Sequence, residues 1–153
     1  MTEHTSPRST EHATFTIERV YDAAPERVFA AWAEPQAKAS WFGPPASAGS
    51  ERTLDFRVGG REHFLAGGPD GAQYSYDARY HEIVPGQRIV YGYTLDRGQS
   101  RISASLATVE IESAAAGTRL LYTEQAVYLD GGDTPATREH GTRELLDRLA
   151  EAL

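Results

Sequence analysis

Residues 13–45 read ATFTIERVYDAAPERVFAAWAEPQAKASWFGPP and decide the fold. The first nine, residues 13–21, are rich in β-branched and aromatic side chains with partial alternation, which predicts a strand. Pro25 then suits the first position of a helix. Pro35 ends this helix and starts a second short one over residues 36–42. A strand followed directly by two short helices is the first landmark of the chain.

The chain beyond this landmark alternates between strand patterns and turns. Six further strands are predicted, over residues 54–58, 61–66, 73–84, 88–95, 102–113 and 118–128. Short turns separate them, and Asp70-Gly71 is a strong hairpin signal. Such a run predicts an antiparallel meander. Thr134 then caps a helix that runs to the C-terminus. The predicted fold class is α+β, with a seven-stranded antiparallel sheet and a long last helix.

Length and composition restrict the function. A chain of 153 residues suits one domain, which we place at residues 13–153 after a disordered lead-in, residues 1–12. The net charge of −7 and the scattered arginines argue against nucleic acid and anionic membranes as partners. The chain has no cysteine, so disulfides and thiolate metal sites are excluded. No apolar run approaches the length of a membrane span, and we expect a cytoplasmic location.

The last helix predicts a cavity. At helical spacing its C-terminal half presents one apolar stripe, formed by Leu145, Leu146, Leu149 and Leu153. The same stripe continues N-terminally through Thr142 and Arg138, with Gly141 at its edge. A packed core would not favour such residues, since voids are costly and glycine disfavours a helix. Gly141 would also fit a kink or a close approach to the sheet, and Arg138 could extend to solvent.

Few side chains are candidates for catalysis or metal binding. His63 and His81 each follow or precede a glutamate, but adjacent strand residues point to opposite faces, so neither pair converges. No metal site, cofactor site or catalytic triad is predicted from the motifs. Glu124 shares a strand face with Tyr122 and could project into a pocket as an acid or base. The alternative is that Glu124 lies solvated at the strand end.

Several stretches resemble one known family. They are residues 17–45, residues 55–93 (DFRVGGREHFLAGGPDGAQYSYDARYHEIVPGQRIVYGY), residues 117–120 (GTRL) and residues 145–153 (LLDRLAEAL). Together they are similar to the homologues of the heat-shock-protein-90 ATPase activator, in the START-like (SRPBCC) superfamily. The resemblance implies the helix-grip fold, a curved seven-stranded sheet around the last helix with a cavity between them. It does not imply one activity, because such relatives include ligand binders and polyketide cyclase-like proteins.

The expected function is non-catalytic binding of a small apolar or aromatic molecule. The candidate ligand-binding residues are Trp41, Phe56, His63, Tyr76, Tyr80, Tyr93, Tyr122, Glu124, Arg138 and Thr142. Tyrosine combines apolar area with a hydrogen-bonding tip, although each tyrosine could also be an ordinary sheet residue. One alternative is a cyclase-like or hydrolase-like enzyme that uses Glu124 or His63. Another is a co-chaperone-like module. A homodimer is compatible with the residues but not required by them.

Overall fold

The structure, a computed structural model, describes residues 7–43, 51–68 and 70–153. Over these ranges the chain forms one antiparallel sheet of seven strands, in the order β1-β7-β6-β5-β4-β3-β2, and three helices. The elements are β1 (Thr10–Tyr21), α1 (Pro25–Ala33), α2 (Pro35–Ala39), β2 (Arg52–Leu54), β3 (Arg61–Gly67), β4 (Gln73–Val84), β5 (Arg88–Arg97), β6 (Ser100–Ala114), β7 (Gly117–Leu129) and α3 (Pro135–Ala152). The predicted α+β fold class is confirmed. The sheet curves around α3, as the resemblance to the helix-grip fold implied.

The first strand begins earlier than predicted. β1 starts at Thr10, which pairs with Leu129 of β7, and the Ser9 amide donates a hydrogen bond to Asp130 Oδ1 at 2.9 Å. These cross-strand partners order residues that the sequence alone assigned to the lead-in. Residues 1–6 of that lead-in lie outside the described residues.

Two other predicted elements are shorter in the structure. The strand predicted over residues 54–58 is confined to Arg52–Leu54. The chain turns immediately afterwards, because the Asp55 amide donates to the Arg61 carbonyl and the Gly59 amide donates to the Tyr80 carbonyl. The second helix, predicted over residues 36–42, ends at Ala39.

The two halves of α3 relate differently to the sheet. Leu146 and Leu149 are fully buried, and Leu145 and Leu153 pack at the margin of the core, as the leucine stripe predicted. The Tyr21 hydroxyl donates a hydrogen bond to the Leu146 carbonyl at 3.0 Å and so ties β1 to this half. The N-terminal half carries no such stripe. Among the described residues, no helix is long and apolar enough to cross a membrane.

A buried ion pair joins α2 to the sheet. Lys38 Nζ lies 2.6 Å from Glu62 Oε1 and 3.1 Å from the Tyr80 hydroxyl, which itself donates to Glu62 at 3.0 Å. Lys38 and Glu62 are at most 1% exposed. Burial lowers the pKa of Lys38, and the adjacent carboxylate opposes this shift. The Lys38 ammonium lies 4.3 Å from the centroid of the Phe42 ring, so the pair supports the segment that follows α2.

Removing one member of this pair should destabilise the protein strongly. We expect Glu62→Gln to lower the free energy of unfolding by about 3–5 kcal/mol, because Lys38 remains buried without its carboxylate. The double variant Lys38→Met with Glu62→Gln should recover most of this loss. Urea unfolding followed by circular dichroism measures both.

The exposed pair of Arg88 and Glu82 provides the matched control. Glu82→Gln should cost less than about 1 kcal/mol, because solvent screens the charges. Equal losses for Glu62→Gln and Glu82→Gln would contradict a structural role for the buried pair.

Candidate functional site

A cavity of about 360 Å³ lies between the N-terminal half of α3 and the inner face of the sheet. Its walls are formed by Phe42 and Gly43 after α2, Phe64 of β3, Tyr76 of β4, Tyr91, Tyr93 and Leu95 of β5, Tyr122 of β7, Asp133 before α3, and Thr137, Arg138, Gly141, Thr142, Glu144, Leu145 and Arg148 of α3. A side chain built onto Gly141 would meet no atom within 4 Å of its Cβ. Gly141 therefore faces open space, and the alternative of a close approach to the sheet is wrong.

Aromatic rings in mutual contact form one wall of the cavity. The Phe64 and Tyr76 rings stack with centroids 4.7 Å apart, and Tyr76 lies 5.0 Å from Tyr93. Phe42 meets the Tyr76 ring edge-to-face at 5.4 Å. These rings come from separate strands and from the segment after α2, so the fold assembles a surface that no single stretch of sequence contains. Such a wall favours a flat apolar ligand.

A hydrogen-bonded carboxylate lies behind the part of the lining formed by Tyr93 and Tyr122. Glu124 of β7 is fully buried. It accepts hydrogen bonds from the hydroxyls of Tyr93 at 2.9 Å, Tyr122 at 2.6 Å and Ser105 at 3.2 Å. The Arg138 guanidinium completes the shell at 3.2 Å. The alternative of a solvated Glu124 at the strand end is wrong, because Glu124 lies within β7 with its side chain on the inner face.

Arg138 connects α3 to this carboxylate. Its guanidinium also donates to Ser103 at 2.6 Å and to Asp133 at 2.9 Å, and only 8% of the residue is exposed. Burial acts to lower the pKa of Arg138, but Tyr93, Glu124 and Asp133 together raise it above its ordinary value. The alternative in which Arg138 extends to solvent is wrong, since the buried carboxylate holds the side chain inward.

The structure brings together half of the predicted site residues. The side chains of Tyr76, Tyr93, Tyr122, Arg138 and Thr142 line the cavity. The Thr142 hydroxyl donates to the Arg138 carbonyl at 2.9 Å, within the helix. Glu124 lies directly behind this lining as the acceptor described above.

Three other predicted aromatic residues do not line the cavity: Trp41 and Tyr80 belong to the core, and Phe56 packs against it. Trp41 packs edge-to-face on Trp32 at 4.8 Å, and its indole donates to the Ala31 carbonyl. Phe56 packs against Tyr80 at 4.9 Å, after β2 has ended. The Tyr80 hydroxyl is hydrogen-bonded to Lys38 and Glu62.

His63 lies on the wrong face of the sheet for a pocket residue. It is 3.2 Å from the Ser75 hydroxyl, whereas the neighbouring residues Glu62 and Phe64 are buried on the inner face. Strand alternation separates them. Among the described residues, no group of three potential ligands could hold a metal ion.

Several residues of the cavity were not predicted from the sequence. Phe42, Phe64, Tyr91 and Leu95 were not among the candidate ligand-binding residues. The alternation of β3 contained a usable signal, because Phe64 is apolar and marks the inner face of that strand.

We expect the buried tyrosine hydroxyls to make the stability of the protein fall at alkaline pH. Burial raises the pKa of Tyr76, Tyr91, Tyr93 and Tyr122 above the ordinary value of about 10. Their contribution to stability is complete below that ordinary value and is lost as the pH rises above it, because only the unfolded chain releases these protons. We expect phenolate absorbance to appear together with the loss of near-ultraviolet circular dichroism.

The unfolded protein in concentrated denaturant is the reference for this titration. There the same phenols should ionise at the ordinary pH. Ionisation of all the tyrosines at that pH while the native dichroism persists would contradict their burial.

Comparisons with known proteins agree with this architecture. The family model described as "Activator of Hsp90 ATPase homolog 1-like protein" matches residues 22–153. An uncharacterized protein from Rhizobium leguminosarum is 44% identical, with a TM-score of 0.90, over 95% of this chain and 97% of that chain. A protein from Rhizobium loti is 45% identical, with a TM-score of 0.88, over 95% and 99%.

A more distant solved structure, a protein from Chromobacterium violaceum, is 29% identical, with a TM-score of 0.68, over 90% of this chain and 95% of that chain. No match was found among the curated proteins. The family model covers most of the chain, and these solved structures share its fold over at least 90% of its length. This chain belongs to the family of Activator of Hsp90 ATPase homolog 1-like proteins, within the START-like (SRPBCC) superfamily.

Proposed function

We propose that this protein binds a small apolar or aromatic molecule in the cavity beneath α3 and releases it unchanged. The observation that carries the proposal is the space beneath the helix, where Gly141 faces the cavity and a wall of aromatic rings stands opposite. A volume of about 360 Å³ lies at the lower end of the range usual for small-molecule sites. The fold of this family commonly binds ligands, which is consistent with the proposal.

The chemistry of Glu124 favours binding over catalysis. Each of its two oxygens accepts hydrogen bonds from buried donors, and Arg138 neutralises its charge. A general base needs a free lone pair within reach of the substrate proton. The other residue considered for catalysis, His63, lies on the outer face of the sheet. We therefore assign Glu124 a structural role in holding the cavity.

A protein partner is a weaker candidate. The matched family is described by the activation of the Hsp90 ATPase, which concerns a protein partner. Among the described residues, however, the large exposed apolar side chains are Val20 of β1, Val58 in the turn after β2, and Leu106 of β6. Scattered apolar residues of this kind are ordinary on a surface. The proposal retains the expected cytoplasmic location, which the cysteine-free composition supports.

Filling the cavity from the helix tests the proposal. The substitution Gly141→Phe places a ring in open space and replaces a poor helix former, so the variant should fold with at least wild-type stability. We expect the wild-type protein to enhance the fluorescence of N-phenylnaphthylamine and Gly141→Phe to weaken this binding at least about tenfold, because the ring occupies the ligand space.

The variant Gly141→Ala is the matched control. It improves helix propensity at least as much but occupies little of the cavity, so it should bind the probe nearly as the wild type does. Native mass spectrometry of the wild-type protein should show a one-to-one complex with the probe. No complex with the wild type, or equal binding by Gly141→Phe, would contradict the proposal.

A further inference from the structure

Two buried hydroxyl groups at the cavity lie close to one another but make no hydrogen bond of normal length to any described residue. They belong to Tyr76 and Tyr91, which are 5% and 1% exposed. Both residues line the cavity from neighbouring strands. Side chains stand nearly perpendicular to a sheet, so each phenol extends from the inner face toward α3. A buried polar group without a partner costs free energy, and each occurrence in a native structure calls for a reason.

The cations near the cavity are already engaged. Arg138 contacts two carboxylates, Glu124 and Asp133, together with hydroxyl groups. Lys38, beneath Phe42, is paired with Glu62. Among the residues that the structure describes, an anionic ligand would therefore find no uncompensated cation in the depth of the cavity.

Two further arginines lie at the margin of the cavity. Arg148 lines the mouth beside Glu144, which carries the opposite charge, and both are exposed. Arg52 lies 4.8 Å from the centroid of the Phe64 ring and does not itself line the cavity, and its buried Nη2 atom lies 3.9 Å from the Glu62 carboxylate. Arg148 is exposed to solvent and Arg52 faces Glu62, so neither arginine supplies a free buried cation to a ligand bound between Tyr76 and Tyr91. Burying a carboxylate there would cost far more than burying an uncharged oxygen.

We propose that the ligand is an uncharged aromatic molecule with a hydroxyl or carbonyl oxygen, held by the Tyr76 and Tyr91 hydroxyls, and that the cavity rejects the corresponding carboxylate. This inference rests on the proposed binding function and specifies its ligand class. A phenolic or ketonic oxygen satisfies both tyrosine hydroxyls. The fused or single ring then lies against the rings of Phe64 and Tyr93.

Three probes that share one ring system separate these requirements. Naphthalene offers only the ring, naphthol adds an uncharged hydroxyl at neutral pH, and naphthoate adds a charge. Their affinities follow from displacement of N-phenylnaphthylamine. We expect naphthol to bind about 3- to 10-fold more tightly than naphthalene, and naphthoate to bind at least about tenfold more weakly than naphthol.

Single-atom changes assign the effect to the two hydroxyls. Tyr76→Phe and Tyr91→Phe should each reduce naphthol affinity about 3- to 10-fold and leave naphthalene affinity unchanged. Tyr128→Phe is the matched control, since the Tyr128 hydroxyl is likewise buried without a partner but does not line the cavity. It should leave naphthol affinity unchanged.

The outcomes distinguish the two proposals. Failure of all three probes to bind the wild type would overturn the binding function and this inference with it. Binding of naphthalene, with naphthoate as tight as naphthol or with no loss in the two phenylalanine variants, would overturn the ligand class alone.

Discussion

The salt bridge between Arg138 and Glu124 sets the distance between α3 and the sheet. A buried carboxylate and a buried guanidinium cannot separate without a large desolvation cost, so the long arginine side chain acts as a spacer between helix and strand. At the other end of the same helix, Leu146 and Leu149 pack directly on the sheet. The C-terminal half of α3 thus packs on the sheet, whereas Arg138 keeps the N-terminal half at a distance from it. The cavity follows from this difference and needs no flexible lid.

Two buried ion pairs bracket the aromatic lining. Glu124 and Arg138 lie next to Tyr93 and Tyr122, and Lys38 and Glu62 lie beneath Phe42. Both pairs are surrounded by tyrosine hydroxyls, which donate to the carboxylates and remain neutral because burial raises their pKa values. Because each buried cation is paired with a carboxylate, the cavity between the two ion pairs carries no unpaired charge from them. This arrangement explains how a strongly polar framework can present a site suited to an uncharged aromatic guest.

Local sequence patterns were sufficient to predict the helices, the strands and part of the cavity. The positions of the other candidate residues depend on contacts between residues that are distant in the sequence. Helical spacing was sufficient to predict the leucine stripe and the open space at Gly141, and strand alternation was sufficient to place Tyr122 and Glu124 on one face. The strand face of His63 could not be predicted from alternation alone, because its neighbour Glu62 is charged and would ordinarily face water. Glu62 is buried only because Lys38, 24 residues earlier, meets it in the fold. Phe56 was misplaced because hydrogen bonds to Arg61 and Tyr80 end β2 before it.

A crystal structure of the protein with bound naphthol would show whether the space beneath α3 holds a ligand. We expect electron density for the ring between α3 and the aromatic wall, with its oxygen within hydrogen-bond distance of the Tyr76 or Tyr91 hydroxyl. The Arg138–Glu124 contact should be unchanged from the 3.2 Å described above, since the spacer is present before the ligand arrives. A helix whose N-terminal turns rest on the sheet, with naphthol bound only at the surface, would contradict this expectation.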